Sequence, residues 1–411
     1  MVTRSTPAEP RIFYGWFVVA ATFAVTFVGF GSAYSFGAFL LPLQHDFAAA
    51  RGSVSLVFSL AGFLYFGLGV ISGPLADRWG SRLFAVIGML LVGLGLAAAS
   101  VARSLAEVYL AYGLGVGLGI GCSYVPAVGA VTRWFVRRRG MASGLAVSGI
   151  GVGTLVVPPI ASVLIETMGW RATYLALGIF AAALGAGMAL LIEDDPHDRR
   201  LAPDGDALQA DVQSRPATGV PLREAIRSLR FGGLYAAGFI CSFGLFVPFV
   251  HLVPYALDHG IAQTSAVLLL GAIGVGSTAG RFFLGGLADR FGRSFSYLMM
   301  FVGMGLAFLV WALSTSFWPL AVFAFAFGTF YGGFVALAPA VLIDYFGGRN
   351  AAGMIGILYT SVALGALIGP TAAGYAFDLS HSYTLPIMVS VGANFLAAAI
   401  LAATAKAPTA R

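Results

Sequence analysis

The chain has 411 residues, of which 59% are hydrophobic and only 10% charged, with a mean hydropathy of +0.90. A soluble domain carries about 25% charged residues, so this composition excludes an ordinary water-soluble enzyme. The net charge of +6 lies in short loops between apolar runs, which excludes the clustered basic face that nucleic-acid binding requires. The partner implied for the surface is a lipid bilayer.

In chain order, apolar runs near the ~20 residues that cross a bilayer predict spans at about 12–41, 54–76, 83–102, 105–131, 140–165 and 171–192. A second set follows at about 231–257, 264–288, 294–314, 317–343, 351–376 and 382–404. Hydrocarbon tolerates only closed backbone hydrogen bonding, so runs of this length are helices. The first run, from Phe13 to Leu41, is too long for the apolar core of a cleavable signal and reads as a span. Between the two sets lies one long polar segment that opens Glu193-Asp194-Asp195-Pro196. The expected organisation is a six-helix bundle over 1–192, a cytoplasmic linker over 193–230 and a second six-helix bundle over 231–411. Within the linker, Leu222, Ile226 and Leu229 share one face of a short amphipathic helix around Pro221 to Leu229.

Arginine placement sets the orientation. With the N-terminus cytoplasmic, 19 of the 23 basic residues fall in cytoplasmic segments, and only Arg51, Arg103 and Arg171 lie outside. Both termini are therefore expected in the cytoplasm.

The halves repeat, as in many carriers. Gly73-Pro-Leu-Ala-Asp77-Arg78-Trp-Gly80 recurs 212 residues later as Gly285-Gly-Leu-Ala-Asp289-Arg290-Phe-Gly292. The same offset pairs Arg137 with Arg349, Gly144 with Gly356, Gly153 with Gly365 and Pro158 with Pro370. Both loops join spans at the cytoplasmic side, where glycine permits a tight turn. Asp77 and Asp289 are placed to cap or pair across the turn, and Arg78 and Arg290 to meet lipid headgroups. The expected role of the four is a conformational latch.

Small residues spaced by four (Gly113, Gly117 and Gly121; Gly149 and Gly153; Gly276 and Gly280) predict faces where helices pack closely. No strand precedes them, so they are not dinucleotide loops. Pro158, Pro159 and Pro370 predict kinks in spans five and eleven. Cys122 and Cys241 fall inside spans, with no metal spacing or disulfide framework, and read as small buried hydrophobes.

Arg281 carries the strongest functional signal. It lies eight residues before Asp289, about 12 Å into the membrane at 1.5 Å per residue, where burial costs at least ~2.5–3.5 kcal/mol. Its repeat counterpart is Gly69, so the scaffold itself needs no charge there. No Asp or Glu lies well inside any span, which points to an anion arriving as substrate. The planar guanidinium fork matches a carboxylate. One buried cation suits a monoanion. His251, in span seven, has the titration range for a proton relay, although a neutral structural histidine fits the residue equally well. Tyr34, Tyr124, Tyr331, Tyr359 and Ser277 supply hydroxyls for a small-ligand site, and Leu145 and Phe334 supply apolar wall.

The Gly-x-Leu-Ala-Asp-Arg-x-Gly loops resemble the signature of the major facilitator superfamily. Arg133-Trp134-Phe135-Val136-Arg137-Arg138-Arg139-Gly140-Met141-Ala142-Ser143-Gly144-Leu145-Ala146, with Tyr14-Gly15-Trp16 and Gly169-Trp170-Arg171, resembles its monocarboxylate transporter and oxalate–formate antiporter branch. The resemblance implies an all-α membrane protein with the major facilitator fold, twelve transmembrane helices in two six-helix halves. It also implies alternating access and an arginine in span eight, a position that Arg281 matches. Two departures stand out: Ser277 occupies the place of an acid in animal members, and span one has no lysine. Span eleven also has no basic residue, where oxalate carriers hold a second cation. The expected activity is proton symport of a small monocarboxylate such as L-lactate or pyruvate across the inner (plasma) membrane. An oxalate–formate type antiporter and a ligand-binding sensor are the alternatives. No cofactor, enzymatic activity or nucleic-acid partner is expected, and the protein is expected to act as a monomer.

Overall fold

The structure, a computed structural model, describes residues 13–199, 201–205, 219–347 and 351–405. Within them the chain is almost wholly helical. Ten helical runs are long and apolar enough to cross a bilayer, and Arg51–Gly67 with Gly69–Trp79, bent by 48°, makes an eleventh. The run Gly140–Ala189 has 50 residues, about 75 Å of helix for a hydrocarbon layer of ~30 Å. It breaks at Gly169, where φ 80° and ψ 163° are not helical. Two spans therefore meet there, and the total reaches the twelve that hydropathy predicts.

Span 1 runs Gly15–Tyr34 and continues as Phe36–Asp46; span 2 is the bent pair. Span 3 is Ser81–Ser100 and span 4 runs from Leu105 to Trp134. Spans 5 and 6 lie on either side of Gly169. Span 7 is Leu229–Leu245 followed by Val247–Asp258, and span 8 is Gln263–Phe291. Spans 9 to 12 are Arg293–Ala312, Phe317–Phe346, Ala351–Ser380 and Thr384–Ala405. Helix continues through Pro158, Pro159 and Pro370, and the sharp bend sits in span 2 between Gly67 and Gly69.

Small residues do the packing that the spacing predicts. A Cβ on Gly117 would stand 2.9 Å from the Ala61 Cα of span 2, one on Gly149 2.3 Å from the Phe23 carbonyl of span 1, and one on Gly276 2.2 Å from the Phe325 carbonyl of span 10. Two such contacts join the first six spans to the last six. Span 5 meets span 8 where a Cβ on Gly274 would lie 2.5 Å from the Gly151 carbonyl, and span 2 meets span 11 where one on Gly374 would lie 2.6 Å from the Gly52 Cα. In lipid, helix association rests on such close van der Waals approach.

The repeated loops are also conformational twins. Gly80 has φ 93° and ψ 135°, and Gly292 has φ 90° and ψ 130°. Only glycine occupies that region without strain, which accounts for its return at the same offset.

The polar segment after span 6 is tied to both halves. Asp204 accepts the backbone N–H groups of Val136 and Arg137 at 3.0 and 2.8 Å, holding the chain against the start of span 5. From Gly219 onward the chain joins the other half, where Val220 donates to the Phe346 carbonyl at 2.8 Å. The short helix there is Leu222–Arg227. Its buried residue is Ala225, while Ile226 and Leu229 are exposed. Leu229 begins the next helix, so the anticipated Leu222–Ile226–Leu229 face does not form.

Candidate substrate site

Arg281 is 8% exposed and lies on the continuous helix of span 8. Its Nη1 donates to the Ser277 hydroxyl, one turn earlier, at 2.7 Å. Its Nε and Nη2 are buried without a hydrogen-bond partner. Those two nitrogens form one edge of the guanidinium, the edge that grips a carboxylate with two parallel hydrogen bonds. A buried unsatisfied donor costs ~1–3 kcal/mol, and a charged one costs more. Ser277, expected as a ligand contact, instead fixes the arginine and leaves that edge available.

On the Tyr331 side of Arg281, which is not itself in the lining, is a small cavity of about 20 Å³, room for about one water. Tyr124, Tyr331, Tyr359 and Phe334 line it, as the sequence suggests, together with Ile150 and Phe246. The Arg281 guanidinium carbon stands 6.0 Å from the Tyr331 ring centroid. Its charge also acts on Tyr34, Tyr124 and Tyr359. Leu145 is absent from the lining and is 37% exposed. Ile150, five residues further along span 5, supplies that wall.

Tyr34 does not line the cavity but bonds Tyr331, which does. Its hydroxyl meets that of Tyr331 at 3.1 Å, and its ring stacks on Phe249 with centroids 4.3 Å apart. This bond crosses from span 1 to span 10 and so joins the two halves.

Beyond the tyrosines lies a polar cluster that sequence reasoning missed. Arg51, at the head of span 2, holds the Asp258 carboxylate bidentately at 2.6 and 2.8 Å, and Asp258 ends span 7. Arg51 Nη1 also donates to the Tyr383 hydroxyl at 3.0 Å. The backbone N–H groups of Arg51 and Gly52 donate to Asp378, at the end of span 11, at 3.0 and 2.9 Å. The guanidinium lies 4.0 Å from the Phe377 ring centroid. His251, fully buried, belongs to this cluster and not to the cavity. Its Nδ1 is 3.1 Å from the Tyr383 hydroxyl, and its Nε2 is 2.8 Å from the Pro370 carbonyl and 3.3 Å from the Ser55 hydroxyl.

At the end that carries the repeated loops, Asp77 pairs with Arg133 of span 4 at 3.1 Å. Arg133 also binds Asp194 and the Ser81 hydroxyl. The partner of Asp77 is thus a neighbouring span, not the far side of its own turn. Arg78 and Arg290 are exposed, and the Asp289 side chain lies outside the described ones.

Long apolar helices around a buried arginine define a polytopic membrane protein. Comparison with known proteins gives the family. The model of the Major Facilitator Superfamily matches residues 21–315 and 234–411, and the chain belongs to that superfamily. Among curated relatives, Monocarboxylate transporter 11 of Mus musculus is 32% identical over 92% of this chain and 84% of its own length. Monocarboxylate transporter 3 of Rattus norvegicus is 30% identical over 95% and 80%. A solved bacterial homologue of the human lysosomal transporter Spinster, in an inward-facing and unoccupied conformation, superposes with a TM-score of 0.73 at 16% identity, covering 97% of this chain and 98% of that one. That likeness establishes the shared fold. The protein is a major facilitator transporter akin to the monocarboxylate transporters.

Proposed function

We propose that this protein carries small monocarboxylates such as L-lactate or pyruvate across the inner (plasma) membrane, by alternating access and together with a proton. The observation that carries the reading is the free Nε–Nη2 edge of Arg281, buried beside a cavity walled by tyrosine and phenylalanine. A carboxylate would satisfy both donors at once, and the apolar walls would take the short carbon body. Co-transport of a proton keeps the loaded cycle electroneutral and avoids about 2.3 kcal/mol per charge per 100 mV. The cavity at its present size holds no such anion, so binding requires the surrounding spans to part. In this reading residues 1–192 and 231–411 are the moving bundles, 193–230 is the cytoplasmic linker, both termini are cytoplasmic and the working unit is a monomer.

The test is uptake of labelled L-lactate into proteoliposomes under an inward proton gradient. Wild type accumulates lactate, a protonophore abolishes accumulation, and Arg281→Ala lowers uptake at least ~100-fold, consistent with an unpaired buried-charge penalty of 3–5 kcal/mol. Uptake that survives Arg281→Ala would place the site elsewhere. Exchange without proton dependence would make the carrier an antiporter.

A further inference from the structure

We infer that His251 is a proton-binding site on the outer side, and that a proton on its Nδ1 and the closed Arg51–Asp258 closure exclude one another. This rests on the carrier reading above and adds the site through which external protons act.

The argument is one of hydrogen-bond direction. The Pro370 carbonyl can only accept, so His251 Nε2, 2.8 Å away, carries a hydrogen. The Ser55 hydroxyl already donates to the Arg51 carbonyl at 2.7 Å, so it too can only accept from Nε2. Arg51 Nη1 can only donate, so the Tyr383 oxygen accepts from it at 3.0 Å. The Tyr383 proton then points to Nδ1, 3.1 Å away, which must be bare. Every donor and acceptor along Asp258, Arg51, Tyr383, His251 and Pro370 is satisfied only when His251 is neutral.

A proton on Nδ1 reverses one bond. The imidazolium and the guanidinium would both donate to the single Tyr383 oxygen, and the tyrosine proton would lose its acceptor. The other charged groups around the ring are Asp378, held by the backbone N–H groups of Arg51 and Gly52, and Asp258, held by the Arg51 fork. Neither acid is available to the imidazolium while the closure stands. His259 bonds the Tyr255 carbonyl and His381 lies against Phe377, and neither is hydrogen-bonded to His251. With the outer side open, His251 takes a proton from external water. Before the closure re-forms, that proton leaves Nδ1 for water.

The test follows the outer ends directly. Spin labels at Val101→Cys and Leu313→Cys, both exposed beyond the outer ends of spans 3 and 9, report the separation of the halves in a Cys122→Ser, Cys241→Ala background. Between about pH 8 and about pH 5, the range in which histidine titrates, wild type gains a longer-distance population. His251→Gln, a neutral group that still offers a donor to Pro370 and an acceptor to Tyr383, loses that response and stays short at both values. His259→Asn and His381→Asn keep the wild-type response. A wild type insensitive to pH, or a His251→Gln variant with the full response, overturns the inference. Lactate exchange by wild type in the same vesicles, without a pH difference, judges carriage separately. A pH response without exchange sinks the monocarboxylate reading alone, and exchange without a pH response sinks this inference alone.

Discussion

The two ends of the molecule are held by different means. At the end proposed to face outward, the bonds of Arg51 run between the halves, from span 2 to Asp258 at the end of span 7, Asp378 in span 11 and Tyr383 just before span 12, whereas Arg171–Asp46 stays within the first half. At the opposite end, Arg133 binds Asp77 and Asp194, the latter in the segment that follows span 6, and Arg293 binds Asp344 at 2.9 Å. The Arg51 side chain also sits in a drier place, 10% exposed against 36% for Arg133. Ion pairs that bridge moving bodies decide which side is open, whereas pairs inside one body only stiffen it. In the proposed orientation, the bonds of Arg51 hold the two halves together on the outer side.

Arg51→Ala tests that contrast most severely. Truncating one partner of a hydrogen-bonded, desolvated charge pair costs about 2–5 kcal/mol, so the outward-open population rises roughly 30-fold or more. The outer spin-label pair should lengthen at all pH values, and an unchanged distance would mean that the closure lies elsewhere. At the other end the backbone carries more than the charges do. Gly80→Ala and Gly292→Ala each force a side chain into a region that costs ~1–3 kcal/mol, and both should lower the Tm of the detergent-solubilised protein. Equal stability to wild type would contradict the twin geometry. Asp378→Ala strips the acceptor from two outer backbone N–H groups, each bond worth about 1 kcal/mol. It should shift the same label distances in the direction of Arg51→Ala but less. Asp77→Asn should do least: its side chain is 67% exposed and its pair contributes at most ~1 kcal/mol. A large change in the outer label distance from Asp77→Asn would erase the distinction between the ends.

How far these features can be read from sequence depends on how local their causes are. Gly80 and Gly292 are visible because the chain states the same loop twice. Arg281 is visible because a charge inside an apolar run breaks composition at a single point. The twelve spans follow from run length, while the 48° bend between Gly67 and Gly69 has no proline at the break to announce it. Arg51 reads as an ordinary loop cation, since its partners lie 207 and 327 residues away and nothing nearby announces them. One hint existed: it is among only three basic residues on the outer side, where arginine is disfavoured, and two of the three are paired in the structure, Arg51 with Asp258 and Arg171 with Asp46. Leu145 and Ile150 differ only in position along one helix, which apolar spacing in a Gly-rich span does not resolve.

The counterpart of Arg281 in the first half is Gly69, the residue that resumes span 2 after its 48° bend. A duplicated scaffold has thus given its two equivalent positions separate labours, a hinge in one copy and a charge in the other. The exchange is not freely reversible, because a Cβ at Gly69 would already press to 2.8 Å from Val125 of span 4. No second cation fits at the symmetric place without rebuilding that contact. If Arg281 binds the cargo as proposed, the steric lattice of the first half keeps its charge unduplicated.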